Sequence, residues 1–274
     1  MTTWLPAGTP KAMFLVWGEG LGSALTAPAL REALAATGAL RLQVNLDDEH
    51  VSDALRFGTG DPIGAVVSVW GPEPERVAGA LADHLASSAP GAATAGWLVE
   101  ERRRVDPAET YDGTRADVLA NTAVLRRPAE LDEETWLHRW LVEHTPIAIR
   151  TQATSAYLQH RCLAPLPGSH PDPPHVDAIV EELFPTAGMH DVHAFYGSGG
   201  DDAELSRRMT ELMASVSRIG ADRDLDLVPG SRHLWDLQPH TGLVAVSLRG
   251  GWPGAGWQGL AGPVLCRVRD PLVA

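Results

Sequence analysis

The chain has 274 residues, 44% of them hydrophobic and 21% charged, the proportions of an ordinary folded protein long enough to bury a large core. Its 22 Lys and Arg against 35 Asp and Glu leave a net charge of −13. That balance offers no attraction to phosphate backbones or anionic lipid, so nucleic acid and membrane fall outside the expected partners.

Chain order reveals two stretches with the same succession of patterns, strand, helix, two strands, helix, strand. In the first, Ala12 to Trp17 is an apolar run. Thr26 and Pro28 open a helix that carries Leu30 and Leu34 and stops at Gly38. Leu40 to Leu46 alternates as a strand, and Ala65 to Trp70 is a buried strand. Pro74 starts a helix with Val77, Leu81 and Leu85 at helical spacing, and Trp97 to Glu101 closes the unit. Glu100 to Arg104 and the polar stretch to Arg115 read as a strand end and a linker, with the boundary near residue 112.

The second stretch opens with a strand from Asp117 to Leu125. Asp132 is then an N-cap, and Glu133 and Glu134 suit the first turn of a helix carrying Leu137, Trp140, Leu141 and His144 on one face until Pro146 limits or kinks it. Ser155 to Leu163 is a strand, Pro165 to Pro174 a Pro-rich loop, and Val176 to Phe184 a strand of strong β character. Asp201 and Glu204 begin a helix whose Leu205, Met209, Leu212, Val216 and Ile219 share one face, and the last strand falls between Asp226 and Leu237. The Gly- and Trp-rich segment from Pro239 to Ala274 suggests a hairpin without a counterpart in the first half.

One βαββαβ unit leaves the sheet face opposite its helices apolar and uncovered. Two in tandem can cover each other, so the expected α+β fold is a pair of ferredoxin-like repeats forming a pseudo-dimeric α/β barrel. The first repeat spans residues 1–112, the second 113–238, and an extension fills 239–274. Two such molecules can associate further as a homodimer.

The second repeat resembles the EthD family of dimeric α/β-barrel proteins. The resemblance rests on Leu125 to Ala148, LRRPAELDEETWLHRWLVEHTPIA, on YLQHR and on VDAIVEELF, and covers residues 116–237. Trp140 and His144 are its most specific element. The first repeat is degenerate, with neither Trp nor His in its helix from Ala24 to Thr37. The resemblance implies one functional pocket, in the second repeat, and chemistry drawn from cofactor-free cyclases, dehydratases, lyases and monooxygenases acting on aromatic or polyketide-like molecules, alongside haem-binding barrels.

From the residues themselves, His144 belongs between helix and sheet, where burial and the helix C-terminus act oppositely on its protonation. It is the candidate general acid/base, with Trp136 and Trp140 as pocket wall. On the next strand Ala156, Leu158, His160 and Cys162 share one face and Tyr157, Gln159 and Arg161 the other, so Tyr157 or His160 can polarise a carbonyl or hydroxyl. Asp177 and Glu181 share a face of the following strand and are candidate bases or orienters, costly to bury unless paired. His233 on the last strand is a further pocket residue or haem ligand. His170, His175, His190 and His193 form the densest histidine region, with no HExxH and no spacing of a closed metal site.

Cys162 and Cys266 stand far apart without a CxxC pair, so no disulfide framework or thiolate zinc site is expected. Gly18-Glu19-Gly20 lacks the GxGxxG frame, Gly197 to Gly200 lacks a P-loop lysine, and no GxSxG occurs. No metal and no cofactor are expected. The N-terminal stretch lacks a secretion signal and no apolar run reaches bilayer length, so the cytoplasm is the expected location. The expected function is a cofactor-independent lyase-type enzyme, a dehydratase, cyclase or retro-aldolase acting by histidine acid/base catalysis on a small aromatic or polyketide-like metabolite. The alternatives are a cofactor-free or haem-dependent monooxygenase and a non-catalytic small-molecule binding protein.

Overall fold

Prolines in first turns and aspartates at N-caps start the helices where the sequence signals them. In the computed structural model, which describes residues 5–58 and 60–237, the first half comprises β1 (Lys11–Trp17), α1 (Leu21–Leu25), α2 (Pro28–Ala36), β2 (Arg41–Leu46), β3 (Ala65–Trp70), α3 (Pro74–Ser88) and β4 (Ala93–Val105). The second comprises β5 (Leu119–Leu125), α4 (Glu133–His138), a π-helical turn (Arg139–His144), α5 (Thr145–Thr151), β6 (Ala156–Leu166), β7 (Ala178–Phe184), α6 (Val192–Tyr196), α7 (Asp202–Arg218) and β8 (Leu225–Asp236). Asp132 accepts a hydrogen bond from the Thr135 amide, and Asp201 accepts from the Ala203 and Glu204 amides. The hairpin expected in Pro239 to Ala274 lies outside the described residues.

Each half forms a four-stranded antiparallel sheet in the order fourth, first, third, second strand, and the eight strands close into one barrel, β1-β3-β2-β8-β5-β7-β6-β4. Closure differs from sheets merely stacked face to face. β2 pairs with β8 and β4 with β6, so the edges of one sheet hydrogen-bond to the edges of the other and no edge is left open. The run Glu100–Arg104, expected as a strand end and linker, instead lies within β4 and pairs with β6, Glu101 opposite His160 and Arg103 opposite Leu158.

Strand alternation sorts the side chains into an inner and an outer set. Leu42, Val44, Phe14, Val16, Val67 and Val69 pack outward against Leu30 and Leu34 of α2 and Val77, Leu81 and Leu85 of α3. In the second half Leu125, Tyr157, Ala178 and Val180 pack outward against Trp136, Trp140 and Leu212. Inside the barrel one end is apolar, with Met13, Leu15, Trp97, Val124 and Ile179.

The rest of the interior is a buried ionic network. Glu181 Oε1 accepts from Gln43 Nε2 at 2.7 Å, Asn45 Nδ2 at 3.0 Å and Arg232 Nε at 3.0 Å. Arg232 Nη2 also donates to Glu109 at 2.7 Å. The sole lysine, Lys11, donates to His160 Nε2 at 2.7 Å and lies 3.6 Å from Glu101. Burial raises the Glu181 carboxyl, but Arg232, Lys11 and the two amides outweigh it and hold it at about 2. Each charge in this interior has a partner, the condition under which buried ions are tolerated.

Candidate functional site

Strand register brings a polar row to the outer face of the second sheet. Asn121 of β5 stands opposite Glu182 of β7, and Glu182 stands opposite Tyr157 of β6. Ala123 and Val180 in the adjoining row are too small to fill the space beneath the helices. A cavity of about 520 Å³ remains, walled by Trp140, His144, Tyr196 and Met213 and bordered on one side by Leu55 and Phe57 of the first half. Phe57 is fixed there by paired backbone hydrogen bonds to Leu227 at 2.9 and 3.3 Å.

The helix above the cavity owes its shape to Pro146. Proline supplies no amide hydrogen to the carbonyl one turn back, and the chain absorbs this as the π-helical turn Arg139–His144 instead of ending or kinking sharply. The Thr145 hydroxyl donates to the Trp140 carbonyl at 2.9 Å. Gln159 Nε2 donates to the same hydroxyl at 2.8 Å, tying helix to sheet. Trp136 stacks behind Trp140 with centroids 5.4 Å apart and donates Nε1 to the Ile219 carbonyl at 3.1 Å.

His144 is 8% exposed and its Nδ1 lies 2.9 Å from Ser215 Oγ of α7, which leaves Nε2 for the cavity. Burial pushes the imidazole down to about 4, so it is neutral at pH 7. Glu182 moves the opposite way, raised by burial to about 8, and is a neutral acid at pH 7. Burial also raises Tyr157, with the Glu182 charge acting in the same direction.

Three buried polar atoms on residues lining this cavity, Asn121 Oδ1, Glu182 Oε1 and Trp140 Nε1, have no hydrogen-bond partner among the described residues. Native proteins rarely leave such groups without a partner, whether protein, ordered water or a bound molecule.

Of the residues singled out from sequence, His144, Tyr157 and Trp140 meet at this cavity, with Trp136 one layer behind. His160 and Glu181 face the barrel interior instead, because their strand positions have the other parity. His160 Nδ1 donates to the Ile179 carbonyl at 3.1 Å, and burial followed by Lys11 holds the ring neutral, at about 3. Asp177 accepts from the Arg127 amide at 2.7 Å and lies 3.0 Å from His175. His233 stacks on Trp235 and bonds the Gly113 carbonyl at 2.9 Å, away from the cavity lining.

The remaining histidines are dispersed: His190 lies near Asp53, His193 near Ser198 and Asp202, and the His170 ring packs at a tilt against Trp17. No three His, Cys, Asp or Glu among the described residues could hold one metal ion. Among those residues no helix is long and apolar enough to cross a membrane.

Sequence reasoning missed Glu182, Asn121 and Ser215. The available signal was alternation, since Glu182 shares a face with Ala178 and Val180, the small residues that pack beneath helices.

No family model matches the chain, and no curated protein matches it. Among solved structures, an anthrone oxidase-like protein is similar with a TM-score of 0.47 and 10% identity, covering 85% of this chain and 95% of that one. A candidate monooxygenase from Lactobacillus acidophilus NCFM has a TM-score of 0.43 and 12% identity over 84% and 97%. A dye-decolorizing protein from V. cholerae has a TM-score of 0.39 and 10% identity over 85% and 95%. Likeness at this level carries nothing about chemistry.

Proposed function

We propose that the cavity binds a small, largely apolar, oxygenated molecule and that His144 and Glu182 serve as base and acid of a lyase-type reaction. The inverted ionisation of this pair carries the reading. A carboxyl and an imidazole ordinarily titrate near 4.5 and 6.5, whereas here burial sets them at about 8 and about 4. Between those limits the imidazole is free to take a proton while the carboxyl holds one to give, the separation that assigns acid and base roles. Resemblance to EthD proteins at Trp140 and His144 supports the same site.

In a dehydration, His144 Nε2 takes the proton from the carbon beside a carbonyl, and the Tyr157 hydroxyl donates to the enolate oxygen as charge develops. The electron pair then forms the C=C bond and expels the β-hydroxyl, which leaves as water with the Glu182 proton. Imidazolium and carboxylate remain, and proton exchange with water resets both. An enolate is also what dioxygen oxidises in cofactor-free oxygenation, so oxygen uptake during turnover separates these two fates of one deprotonation.

The first step can be observed without the full reaction. Aromatic hydroxyketones incubated with the protein in D2O are expected to exchange the hydrogen beside the carbonyl, and His144→Ala is expected to slow exchange by about 100-fold or more. Equal exchange by wild type and variant would overturn the assignment.

A further inference from the structure

The polar equipment of the cavity selects a substrate class. We propose that Asn121 and Glu182 are specificity determinants that admit an uncharged molecule carrying two 1,3-disposed hydroxyl or enol groups and reject its carboxylate analogues. This rests on the cavity being the binding site, as in the preceding reading, but not on any catalytic role of His144.

Three observations lead to it. First, the unpartnered acceptors, Asn121 Oδ1 and Glu182 Oε1, belong to directly opposed residues of β5 and β7. Opposed side chains in an antiparallel pair start about 4.5–5.5 Å apart, close to the separation of two 1,3-disposed oxygens on a six-membered ring. Two ligand O–H groups would satisfy both at once, and the Trp140 Nε1 donor could meet one ligand oxygen.

Second, no unopposed cation is among the described residues that line the cavity. Arg223, the arginine among the lining residues, is exposed at the rim and pairs with Glu130 at 2.8 Å and Asp222 at 3.7 Å. A carboxylate or phosphate entering would lose its water and find neutral hydrogen-bonding groups but no counter-charge among the lining residues, a cost that neutral donors do not repay.

Third, the entrance is apolar. Leu55, Phe57 and Met213 line the cavity yet are 71%, 54% and 46% exposed. An exposed cluster of large apolar side chains around a pocket marks a ligand surface. The ligand therefore lies with its hydroxyls at the β5–β7 floor and its hydrocarbon edge against the segment supplied by the first half, which gives that half a part in selection.

The test uses four compounds of one size class, naphthalene, 1-naphthol, 1,3-dihydroxynaphthalene and 3-hydroxy-2-naphthoate, titrated at pH 7 with tryptophan fluorescence and heat as readouts. The diol is expected to bind about tenfold more tightly than 1-naphthol, one hydrogen bond better. The carboxylate is expected to bind about 100-fold more weakly than the diol. Asn121→Leu should remove the preference for diol over 1-naphthol while naphthalene binding is retained, which shows that the variant is folded. Phe57→Ala should weaken all four compounds alike.

Equal affinities for diol, 1-naphthol and carboxylate would overturn the inference and leave proton transfer by His144 standing. Binding of none of the four with a Kd below about 1 mM would overturn both.

Discussion

Replacing Glu182 by glutamine keeps the shape of the side chain and removes its ionisation. The carboxyl titrates at about 8 in the folded protein against 4.5 when free, and burial is the cause. Between pH 4.5 and 8 the unfolded chain has lost this proton and the native protein keeps it, so rising pH favours unfolding by about 1.4 kcal/mol per unit. At pH 7 the accumulated penalty is about 3 kcal/mol, absent from the glutamine variant. For a protein of this size about 2–4 °C of melting temperature accompanies each kcal/mol, so Glu182→Gln should melt about 6–12 °C above wild type at pH 7. At pH 4.5 the two should differ far less. Urea unfolding followed by tryptophan fluorescence at both pH values measures the change, and any constant effect of the amide cancels in the comparison. A difference between wild type and variant that is the same at pH 4.5 and pH 7 would refute the reasoning.

Turnover at the site should hold a plateau between about pH 4 and about pH 8, falling on the acid side as His144 protonates and on the alkaline side as Glu182 ionises; a profile with a single midpoint near 6.5 would remove Glu182 from the mechanism. Glu181→Leu should destabilise the barrel by about 3–5 kcal/mol, because it leaves Arg232 and Lys11 buried beside one carboxylate fewer. Denaturant melts would register this, and a loss below about 1 kcal/mol would mean that water reaches the network.

The repeat order was legible because each apolar run and each helix signal is local. Pro74, Asp132 and Asp201 mark helix starts, and Ala65–Trp70 is a strand at the bounds its composition implies. Closure was not legible, since the pairing of β4 with β6 runs through Glu100–Arg104, a charge run indistinguishable from a linker until Lys11 and Trp70 meet Glu101 from distant strands. The site divides in the same way. His144 and Trp140 follow from helical spacing, and Tyr157 from strand alternation. Alternation alone, however, sorts strand residues into two sets without saying which set faces the helices. Both faces of these strands are buried, so hydrophobicity does not choose between them. That ambiguity favoured Glu181 over Glu182. The barrel interior tolerates Glu181 because Gln43, Asn45 and Arg232 arrive from the distant strands β2 and β8. The unpaired carboxyl is its neighbour.

Selective labelling of the Glu182 carboxyl carbon and the histidine rings, followed by NMR titration from pH 3 to pH 9, tests the inverted pair most directly. The account predicts midpoints of about 8 for Glu182 and about 4 for His144. Midpoints near the free values of 4.5 and 6.5 would contradict it, for the site would then hold an ordinary carboxylate and an ordinary imidazole at neutral pH.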